Sequence, residues 1–354
     1  MPELRRDPIT GEWVIMAGER AKRPDDFRSH AVERGGEAPG DCPFCPGNER
    51  MTPPEILAFR HPGSQRNGPG WWVRVVPNKY PALAVEGELN KTGFGMYDWM
   101  NGVGAHEVII ETPEHDKHPA FLDPRQIEDV LWAYRARYLD LKKDPRLKAI
   151  TIFRNHGRVA GASLSHPHSQ LIATPMVPGD VVRQLEGARR YMQYRDRCVY
   201  CDILRQELDE RARLVTENEH FVALEPYASR YPFETWVIPK RHLASFAAIP
   251  AEEQASFAQI LGETLGRICL CLDDPPYNYN IYTAPCDEDE TEEFHWHLDI
   301  TPRLTIAAGF EMGTGIHINV TPPEVAAEAL RNVDVTAAAR LPEEVRARAE
   351  RRGQ

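Results

Sequence analysis

The chain has 354 residues, of which 42% are hydrophobic and 27% charged, and its formal net charge is −11. This composition is typical of a globular protein that is large enough for two domains. The negative charge argues against nucleic-acid binding, although a small phosphate ligand needs only a few local donors.

The sequence shows no sign of a targeting or membrane-spanning segment. Its first residues, MPELRRDPITGEW, contain no apolar core of a signal peptide, and no run of 18 apolar residues occurs. The seven cysteines are an odd number, which argues against a disulfide framework and for a reducing compartment. We therefore expect a cytoplasmic protein without a membrane partner.

The pattern of the first half predicts several strands and one long helix. The stretch 85–105 is rich in glycine and asparagine and is predicted to be a loop. Apolar residues recur near a 3.6-residue spacing over about 124–142, which predicts an amphipathic helix. Strand-like segments follow at 149–155 and 166–175.

The second half repeats this order of elements, so the chain contains an internal duplication. A second amphipathic helix is predicted over about 251–271, followed by strand-like segments at 277–284 and 295–302. Between the halves, at 176–195, a Pro/Gly turn leads into a polar helix, and one or two surface helices are predicted after about 322. We predict an α+β fold of tandem duplicated domains, with antiparallel sheets and a packed helix in each half.

Each half carries a Cys-x-x-Cys pair and histidines at matching places in the repeat. Structural zinc takes four nitrogen or sulfur ligands in a tetrahedron, and such a pair supplies two of them. We therefore predict two Zn²⁺ ions per chain. The first set of ligands is Cys42, Cys45, His115 and His166, and the second set is Cys198, Cys201, His242 and His295.

Other interpretations of these residues remain open at this point. The cysteines could be buried thiols and the histidines surface residues, and redox chemistry is a further option. His106 and His118 compete with His115 as the third ligand of the first set. His115 is preferred because a proline precedes it shortly after an apolar strand, as in the second half.

The stretch SLSHPHSQLIAT at 163–174 places three polar residues at alternate positions. Alternate residues of a strand project from one face, so His166, His168 and Gln170 should share a face. With His166 bound to the metal, His168 can attack phosphorus and form a covalent phosphoramidate, while Gln170 can donate its amide to a phosphoryl oxygen. A loop or a metal-only site is the alternative interpretation.

The HPHSQ segment resembles the HPHxQ signature of galactose-1-phosphate uridylyltransferases, the transferase branch of the histidine-triad superfamily. The resemblance covers nearly all of residues 1–325. The other segments that resemble family motifs are DPITGEWVIMAGERAKRP (7–24), CPFCPGNE (42–49), VVPNKYPAL (75–83), NHGRVAGASLSHPHSQ (155–170) and RLTIAAGFEMGTG (303–315).

This resemblance implies histidine-triad-like domains, with a catalytic one at 1–185, a second one at 186–325 and a helical tail at 326–354. It also implies a ping-pong reaction on a nucleotide sugar and a sugar phosphate. UDP-glucose would give UMP to His168, and galactose-1-phosphate would then take it from the uridylyl-histidine. A homodimer is expected from the family.

The resemblance further implies roles for individual residues around His168. Gln170 and Ser163 would stabilise phosphoryl oxygens, which the backbone at Gly161 would allow to approach closely. The other implied contacts are Arg20, Arg23 and Asn155 for the phosphates, Asn78 for the ribose, Phe44 for the base, and Phe310 and Glu311 for the hexose, the last two across a dimer interface.

The second copy departs from the catalytic pattern. His297 stands where His168 stands in the first copy, and Asp299 stands where Gln170 stands. Since a carboxylate would repel a phosphate, the second copy is predicted to be catalytically inactive.

Two further departures affect the expected specificity. Lys79 replaces an acidic residue often found beside the uridine site, and Thr305 lies near a place where some members have a lysine. An ADP-sugar or dinucleoside-polyphosphate phosphorylase of the same superfamily is therefore the alternative function. A zinc-stabilised binding module without catalysis is a third hypothesis.

Overall fold

A computed structural model describes residues 2–18, 24–27 and 38–335 of the chain. Its strands in chain order are β1 (Glu3–Arg6), β2 (Trp13–Met16), β3 (Leu57–Arg60), β4 (Trp71–Pro77), β5 (Thr92–Phe94), β6 (Tyr97–Trp99), β7 (Ala105–Ile110), β8 (Ala149–His156), β9 (His168–Thr174), β10 (Leu214–Glu217), β11 (Phe221–Leu224), β12 (Thr235–Pro239), β13 (Tyr277–Tyr282), β14 (His297–Pro302) and β15 (His317–Asn319). Its helices are α1 (Pro24–Phe27), α2 (Pro124–Leu141), α3 (Gly179–Arg195), α4 (Val199–Glu210), α5 (Gln254–Leu272), α6 (Gly309–Thr314) and α7 (Pro323–Arg331).

Ten strands form one antiparallel sheet in the order β10-β11-β12-β14-β13-β8-β9-β7-β4-β3. The first copy, β3-β4-β7-β9-β8, has the same strand order as the second copy, β10-β11-β12-β14-β13. The copies meet where β8 pairs with β13, with Asn155 opposite Asn278. The predicted α+β duplication is therefore confirmed. The two sheets join because each copy satisfies the edge-strand backbone groups of the other.

The helix predicted over 124–142 is α2. The Asp123 side chain accepts a hydrogen bond from the Arg125 backbone N–H, and Pro124 occupies the first turn, where no N–H is needed. Its apolar side, which includes Tyr134, is buried against the sheet and α5. Packing of this face, more than helix propensity, holds α2 in place.

The helix predicted over 251–271 is α5, the central helix of the second copy. It follows a short 3-10 turn at Ala251–Glu253 and ends at Asp273, whose backbone is left-handed. The Ala251–Leu272 segment is long and apolar enough to cross a membrane, but 61% of its most apolar stretch is buried inside the fold. Such burial is typical of a core helix.

The four strands predicted beside these helices are β8, β9, β13 and β14. β9 begins at His168, so His166 and Pro167 precede the strand. β14 likewise begins at His297, two residues after His295. In both copies, the predicted metal ligand therefore lies in the approach to a strand, and the second histidine takes the first strand position.

The stretch 85–105 differs from the predicted loop. β5 and β6 form a hairpin there, with Phe94 paired to Tyr97. Gly95 has a φ of 60°, which a tight two-residue turn requires and glycine permits at little cost. All six strand residues are exposed, so the hairpin lacks the buried face whose periodicity a sequence pattern detects.

The polar helix predicted between the halves is α3, and α7 begins the predicted tail. Ala326 and Leu330 of α7 are buried and Val325 and Glu328 are exposed, so α7 packs one face onto the second copy as a surface helix does. The division of the chain at residue 185 stays a prediction. Residues 336–354 of the predicted tail lie outside the described residues.

Candidate active site and metal centres

The first predicted metal set comes together from three segments of the chain. Cys45 Sγ lies 3.3 Å from His115 Nδ1 and 3.5 Å from His166 Nδ1, and Cys42 Sγ lies 3.7 Å from His166 Nδ1. Zinc bonds of about 2.3 Å to sulfur and about 2.0 Å to nitrogen give a tetrahedral S···N edge of about 3.5 Å. The four side chains therefore fit Zn²⁺.

The orientation of His166 also suits a metal ligand. Its Nε2–H donates to the Thr112 backbone oxygen at 2.8 Å, which leaves the Nδ1 lone pair directed at the cysteines. His166 is fully buried, so its ring is held in this orientation by the fold. The competing histidines, His106 and His118, hydrogen-bond to other residues and lie outside this set.

The second metal set repeats the arrangement. Cys201 Sγ lies 3.4 Å from His242 Nδ1 and 3.7 Å from His295 Nδ1, while His295 Nε2 donates to the Pro239 oxygen at 3.0 Å. In both sets, the ligand atoms all lie within 4.8 Å of one another. The hydrogen bond between the two cysteines lowers the pKa of Cys201, which both histidines lower further, and raises the pKa of Cys198. A thiolate is the form of cysteine that binds zinc.

The predicted nucleophile His168 occupies the first position of β9. Its Nδ1–H donates to the His166 backbone oxygen at 2.8 Å, so Nε2 carries the lone pair that can attack phosphorus. The Phe44 ring packs beside it, with ring centroids 5.3 Å apart. Because the side chain of His166 belongs to the metal set, one residue links the metal site to the orientation of the nucleophile.

Gln170 lies two residues further along β9, beside His106 of β7. The Ala82 N–H donates to His106 Nδ1 at 3.2 Å, so His106 Nε2–H donates to Gln170 Oε1 at 2.8 Å. This bond leaves the Gln170 NH₂ group as the end that can donate to a phosphoryl oxygen. Asn78 Nδ2 lies 3.1 Å from the same His106 nitrogen, which places the predicted ribose contact beside Gln170.

The loop after β8 carries further predicted phosphate contacts. Asn278 Nδ2 donates to Asn155 Oδ1 and to the Ala160 backbone oxygen, both at 2.8 Å. Since Asn155 uses its oxygen in this bond, its NH₂ group is the end available to a ligand. Gly161 follows with a φ of 90°, and Ser163 is exposed just beyond it.

A cavity of about 660 Å³ opens at this end of the sheet. β8 and β9 pair with Phe153 opposite Gln170, which brings Asn155 level with His168. The side chains of His168, Asn155 and Ser163 contribute to its wall. The volume and the few convergent polar groups are those of a small-molecule site.

Several predicted contacts lie away from the wall of this cavity. Phe310 is on the exposed helix α6, where Glu311 caps its own helix by accepting a hydrogen bond from the Ala308 N–H at 3.0 Å. Arg20 and Arg23 lie outside the described residues. The other predicted contacts outside the wall are Phe44, Asn78, Gly161 and Gln170. The binding roles of all these residues stay predictions.

In the second copy, His297 keeps the backbone contact of its counterpart but is enclosed. Its Nδ1 lies 3.2 Å from the His295 oxygen. Trp236 and Tyr282 lie over the ring, with centroids at 4.5 and 5.2 Å, and burial lowers the pKa of His297 to about 3. The imidazole is therefore neutral and shielded on its faces by aromatic rings.

The aromatic rings on His297 are a second difference from the first copy, beside the change from Gln170 to Asp299. Burial raises the pKa of Asp299 well above its ordinary value, and Glu234 raises it further, which weakens the predicted repulsion of a phosphate. Tyr282 is opposite His297 across the strand pair β13–β14. In the first copy the corresponding position, level with His168, is occupied by the smaller Asn155. Inactivity of the second copy stays a prediction, because a cavity of about 320 Å³ is lined by His297 and Asp299.

Some residues of the site were not predicted from the sequence. His106, Asn278 and Asp274 are distant along the chain from HPHSQ, and only strand pairing and helix packing bring them near it. His156 directly follows Asn155 within a segment that was singled out, so its position could have identified it as a neighbour of the site.

We expect Gly161→Ala to slow turnover and to lower stability by a similar free energy. At a φ of 90° alanine is strained by about 1–2 kcal/mol, and its Cβ would lie 3.7 Å from Asn155 Nδ2. Relief of this strain would displace the loop that carries Ser163, and we expect turnover to fall about tenfold. Steady-state rates and melting temperatures test this expectation. Gly179→Ala, at an open position with an ordinary φ, is the control. Unchanged turnover in Gly161→Ala would contradict the expectation.

Family models match both halves of the chain. The model described as galactose-1-phosphate uridyl transferase, N-terminal domain, matches residues 1–178. The model for the C-terminal domain of the same enzyme matches residues 184–343.

Individual relatives carry two different names. ADP-glucose phosphorylase from Arabidopsis thaliana is 39% identical over 339 residues, covering 95% of this chain and 94% of that protein. Galactose-1-phosphate uridylyltransferase from Thermotoga maritima is 30% identical over 345 residues, covering 95% and 99%.

Solved structures show the same two names. A crystal structure of an ADP-glucose phosphorylase from Arabidopsis thaliana with bound ADP-glucose has a TM-score of 0.79 at 37% identity, covering 94% of this chain and 100% of that one. A uridylyltransferase structure has a TM-score of 0.72 at 28% identity, covering 94% and 97%.

Proposed function

Because the chain belongs to the galactose-1-phosphate uridyl transferase family, we propose that it moves a nucleotidyl group between phosphates through a covalent bond to His168. The lone pair of His168 Nε2 would attack the α-phosphorus of a nucleotide sugar, and the sugar 1-phosphate would leave with the bonding electrons. An acceptor phosphate oxygen would then attack the same phosphorus and release His168. Both nucleophiles bring their own electron pair, so the exchange requires no separate base.

The hydrogen bonds around His168 support this mechanism. The bond from its Nδ1 to the His166 oxygen keeps Nε2 as the attacking atom. The Gln170 amide and the Asn155 amide each use their oxygen in a bond to a neighbour, so both would present NH₂ donors to phosphoryl oxygens. Donors placed in advance stabilise charge that develops on those oxygens in the transition state.

ADP-glucose is the donor, and inorganic phosphate the acceptor, that we propose for this chain. The observation that carries this choice is the 39% identity to an ADP-glucose phosphorylase, against 30% to a uridylyltransferase, over the same 95% of the chain. The changes at Lys79 and Thr305 support it, because they affect the predicted base and hexose contacts. In this reaction His168 would carry AMP, glucose 1-phosphate would leave, and phosphate would take the AMP as ADP.

Uridylyl exchange between UDP-glucose and galactose-1-phosphate is the second candidate. The HPHSQ segment and both family models favour it, and it is the function that the sequence motifs predict first. The two candidates share the chemistry at His168 and differ in the base and in the acceptor.

A substrate panel separates the two candidates. We expect ADP-glucose with phosphate to turn over at least about tenfold faster, by kcat/KM, than UDP-glucose with galactose-1-phosphate, the difference that about 1.4 kcal/mol of transition-state binding produces. Labelled donor without acceptor should leave acid-labile nucleotide on the protein. Faster turnover of UDP-glucose would favour the second candidate. Nucleotide binding without any exchange would revive the hypothesis of a binding module.

We also propose that each Cys₂His₂ set holds one Zn²⁺. The S···N distances in both sets match a zinc tetrahedron, and both buried histidines donate their second nitrogen to a backbone oxygen. With four protein ligands, zinc would cross-link distant segments and have a structural role. In the first copy, the metal would also fix the position of His166, whose backbone oxygen accepts the hydrogen bond that orients His168.

A further inference from the structure

Three titratable side chains meet in the wall of the 660 Å³ cavity but have no part in the mechanism above. His118 Nε2 and His156 Nε2 each lie 2.8 Å from the same oxygen, Oδ1 of Asp274. His118 comes from the segment before α2, His156 from the end of β8, and Asp274 from the segment after α5. The fold thus brings three distant segments together at the end of the cavity.

The hydrogen bonds of His118 show how this cluster is protonated. The Ala120 backbone N–H donates to His118 Nδ1 at 3.1 Å, so in the neutral ring the proton is on Nε2 and is donated to Asp274. Although burial alone would lower it, Cys269 and Asp274 raise the pKa of His118 to about 10, and the protonated ring also donates from Nε2. A ring that accepts at Nδ1 and donates at Nε2 has no lone pair left for a metal ion. The contacts therefore favour a hydrogen-bonded cluster over a third metal site.

The carboxylate of Asp274 is held in place at the expense of backbone strain. Asp273 and Asp274 both have a positive φ, 60° and 56°, directly after the last turn of α5. Two consecutive non-glycine residues in this region are uncommon, and such strain is concentrated at functional sites. Although burial alone would raise it, the pKa of Asp274 lies well below its ordinary value because of His118 and His156.

His156 is the member of the cluster that can contact a ligand. Its Nε2–H donates to Asp274, and its ring stacks on Tyr277 with centroids 4.8 Å apart. No described residue hydrogen-bonds to His156 Nδ1, and the side chain lines the cavity directly beside Asn155. Asp274 and Tyr277 therefore fix the ring and leave one nitrogen for a ligand in the cavity.

We propose that His156, oriented by Asp274, binds the phosphate group that leaves with the sugar in the first half-reaction and attacks in the second. An imidazole nitrogen can accept a proton from a phosphate when neutral and donate one when protonated, whereas the hydrogen-bonding groups of an amide do not titrate. Lys117 and Arg158 line the same cavity and supply positive charge for an anion. This inference rests on the proposed function only in taking the cavity as the place of transfer.

The ligand class is a terminal phosphate, from either inorganic phosphate or a hexose 1-phosphate. His156→Gln preserves the size of the side chain but removes the titratable nitrogen. We expect KM for both acceptors to rise about 10- to 100-fold, as for loss of a hydrogen bond to a charged group, with a smaller change in kcat. The rate at which labelled donor modifies His168 in a single turnover should fall as well, because His156 would contact the same phosphate as it leaves with the sugar.

Two further variants make the test specific. Asp274→Asn retains shape and should raise the same KM values in the same direction, since it weakens the hold on His156. His61→Gln, on the exposed turn between β3 and β4, is the matched control and should change neither KM nor kcat. Melting temperatures of all three variants identify any loss of folding.

Direct titration of the protein with inorganic phosphate gives a readout that does not need activity. If the wild type forms no nucleotidyl adduct but binds phosphate and His156→Gln does not, the proposed function fails and this inference holds. Equal phosphate affinity of wild type and His156→Gln overturns the inference. A loss confined to hexose 1-phosphate also overturns it, since the sugar would then be the ligand. So does a third equivalent of metal that is lost from His156→Gln.

Discussion

Replacement of His168 by glutamine is expected to abolish the nucleotidyl-enzyme and to reduce turnover by about 10⁴-fold or more. Glutamine approximates the size of histidine but has no nitrogen lone pair that can attack phosphorus. The hydrogen bond from His168 Nδ1 to the His166 oxygen places the ring proton on Nδ1, so Nε2 carries the lone pair for the proposed attack. Binding of the nucleotide sugar should persist, because its proposed donors lie on other residues.

The measurement is the amount of acid-labile label that remains on the protein after incubation with labelled nucleotide sugar. His297→Gln is the matched control, since His297 has the equivalent backbone contact but lies under Trp236 and Tyr282. The control should form the adduct at the wild-type level. An adduct in His168→Gln, or its loss in His297→Gln, would show that the two copies were assigned the wrong roles.

The second large effect is expected from single ligand substitutions in the two metal sets. Cys45→Ser and Cys201→Ser each replace the cysteine that lies near both histidines of its set. Serine is a poor zinc ligand, so each variant should lose one equivalent of zinc and about 3 kcal/mol or more of folding stability.

The two variants should differ in activity. In Cys45→Ser, the freed His166 no longer fixes the oxygen that orients His168, and the activity of the folded fraction should fall about 10- to 100-fold, as for the loss of a residue that orients a site. In Cys201→Ser, adduct formation per folded molecule should be unchanged. Elemental analysis, denaturant unfolding and adduct yield on the same samples provide the measurements.

Cys286→Ser is the control for these variants, because Cys286 is buried but belongs to neither metal set. It should keep the wild-type zinc content. Two zinc equivalents in Cys45→Ser would show that this thiolate is not a ligand. Equal losses of activity in Cys45→Ser and Cys201→Ser would remove the proposed link between the first metal site and the nucleophile.

Local patterns were sufficient to predict the main elements of the fold. The periodicity over 124–142 corresponds to α2, and the repeated order of elements corresponds to two copies with the same strand order. These predictions succeeded because burial of one helix face or strand face imposes its own period on the sequence. The exposed hairpin of β5 and β6 buries no face and was therefore predicted as a loop.

The fusion of the two copies into one sheet could not be predicted from the repeat. Each copy taken alone would have an unpaired edge strand, β8 in the first copy and β13 in the second. The sequence of an edge strand does not indicate which other strand it pairs with. Pairing of β8 with β13 places Asn278 against Asn155 and so orients an amide of the candidate site from the other copy. A residue of the second copy thereby orients an amide of the candidate site in the first copy.

The sequence by itself determined the eight Cys and His residues of the metal sets, the His168 and Gln170 pair and the duplication, because each depends on residue type at a short or repeated spacing. Only the tertiary structure decided which ring nitrogen of His168 donates to the backbone, which atom of the Gln170 amide accepts a hydrogen bond, and that aromatic rings lie on His297. It also decided that His118, Asp274 and His156 meet. The physical reason is that hydrogen-bond direction and steric access arise from residues distant in sequence, and no local spacing records them.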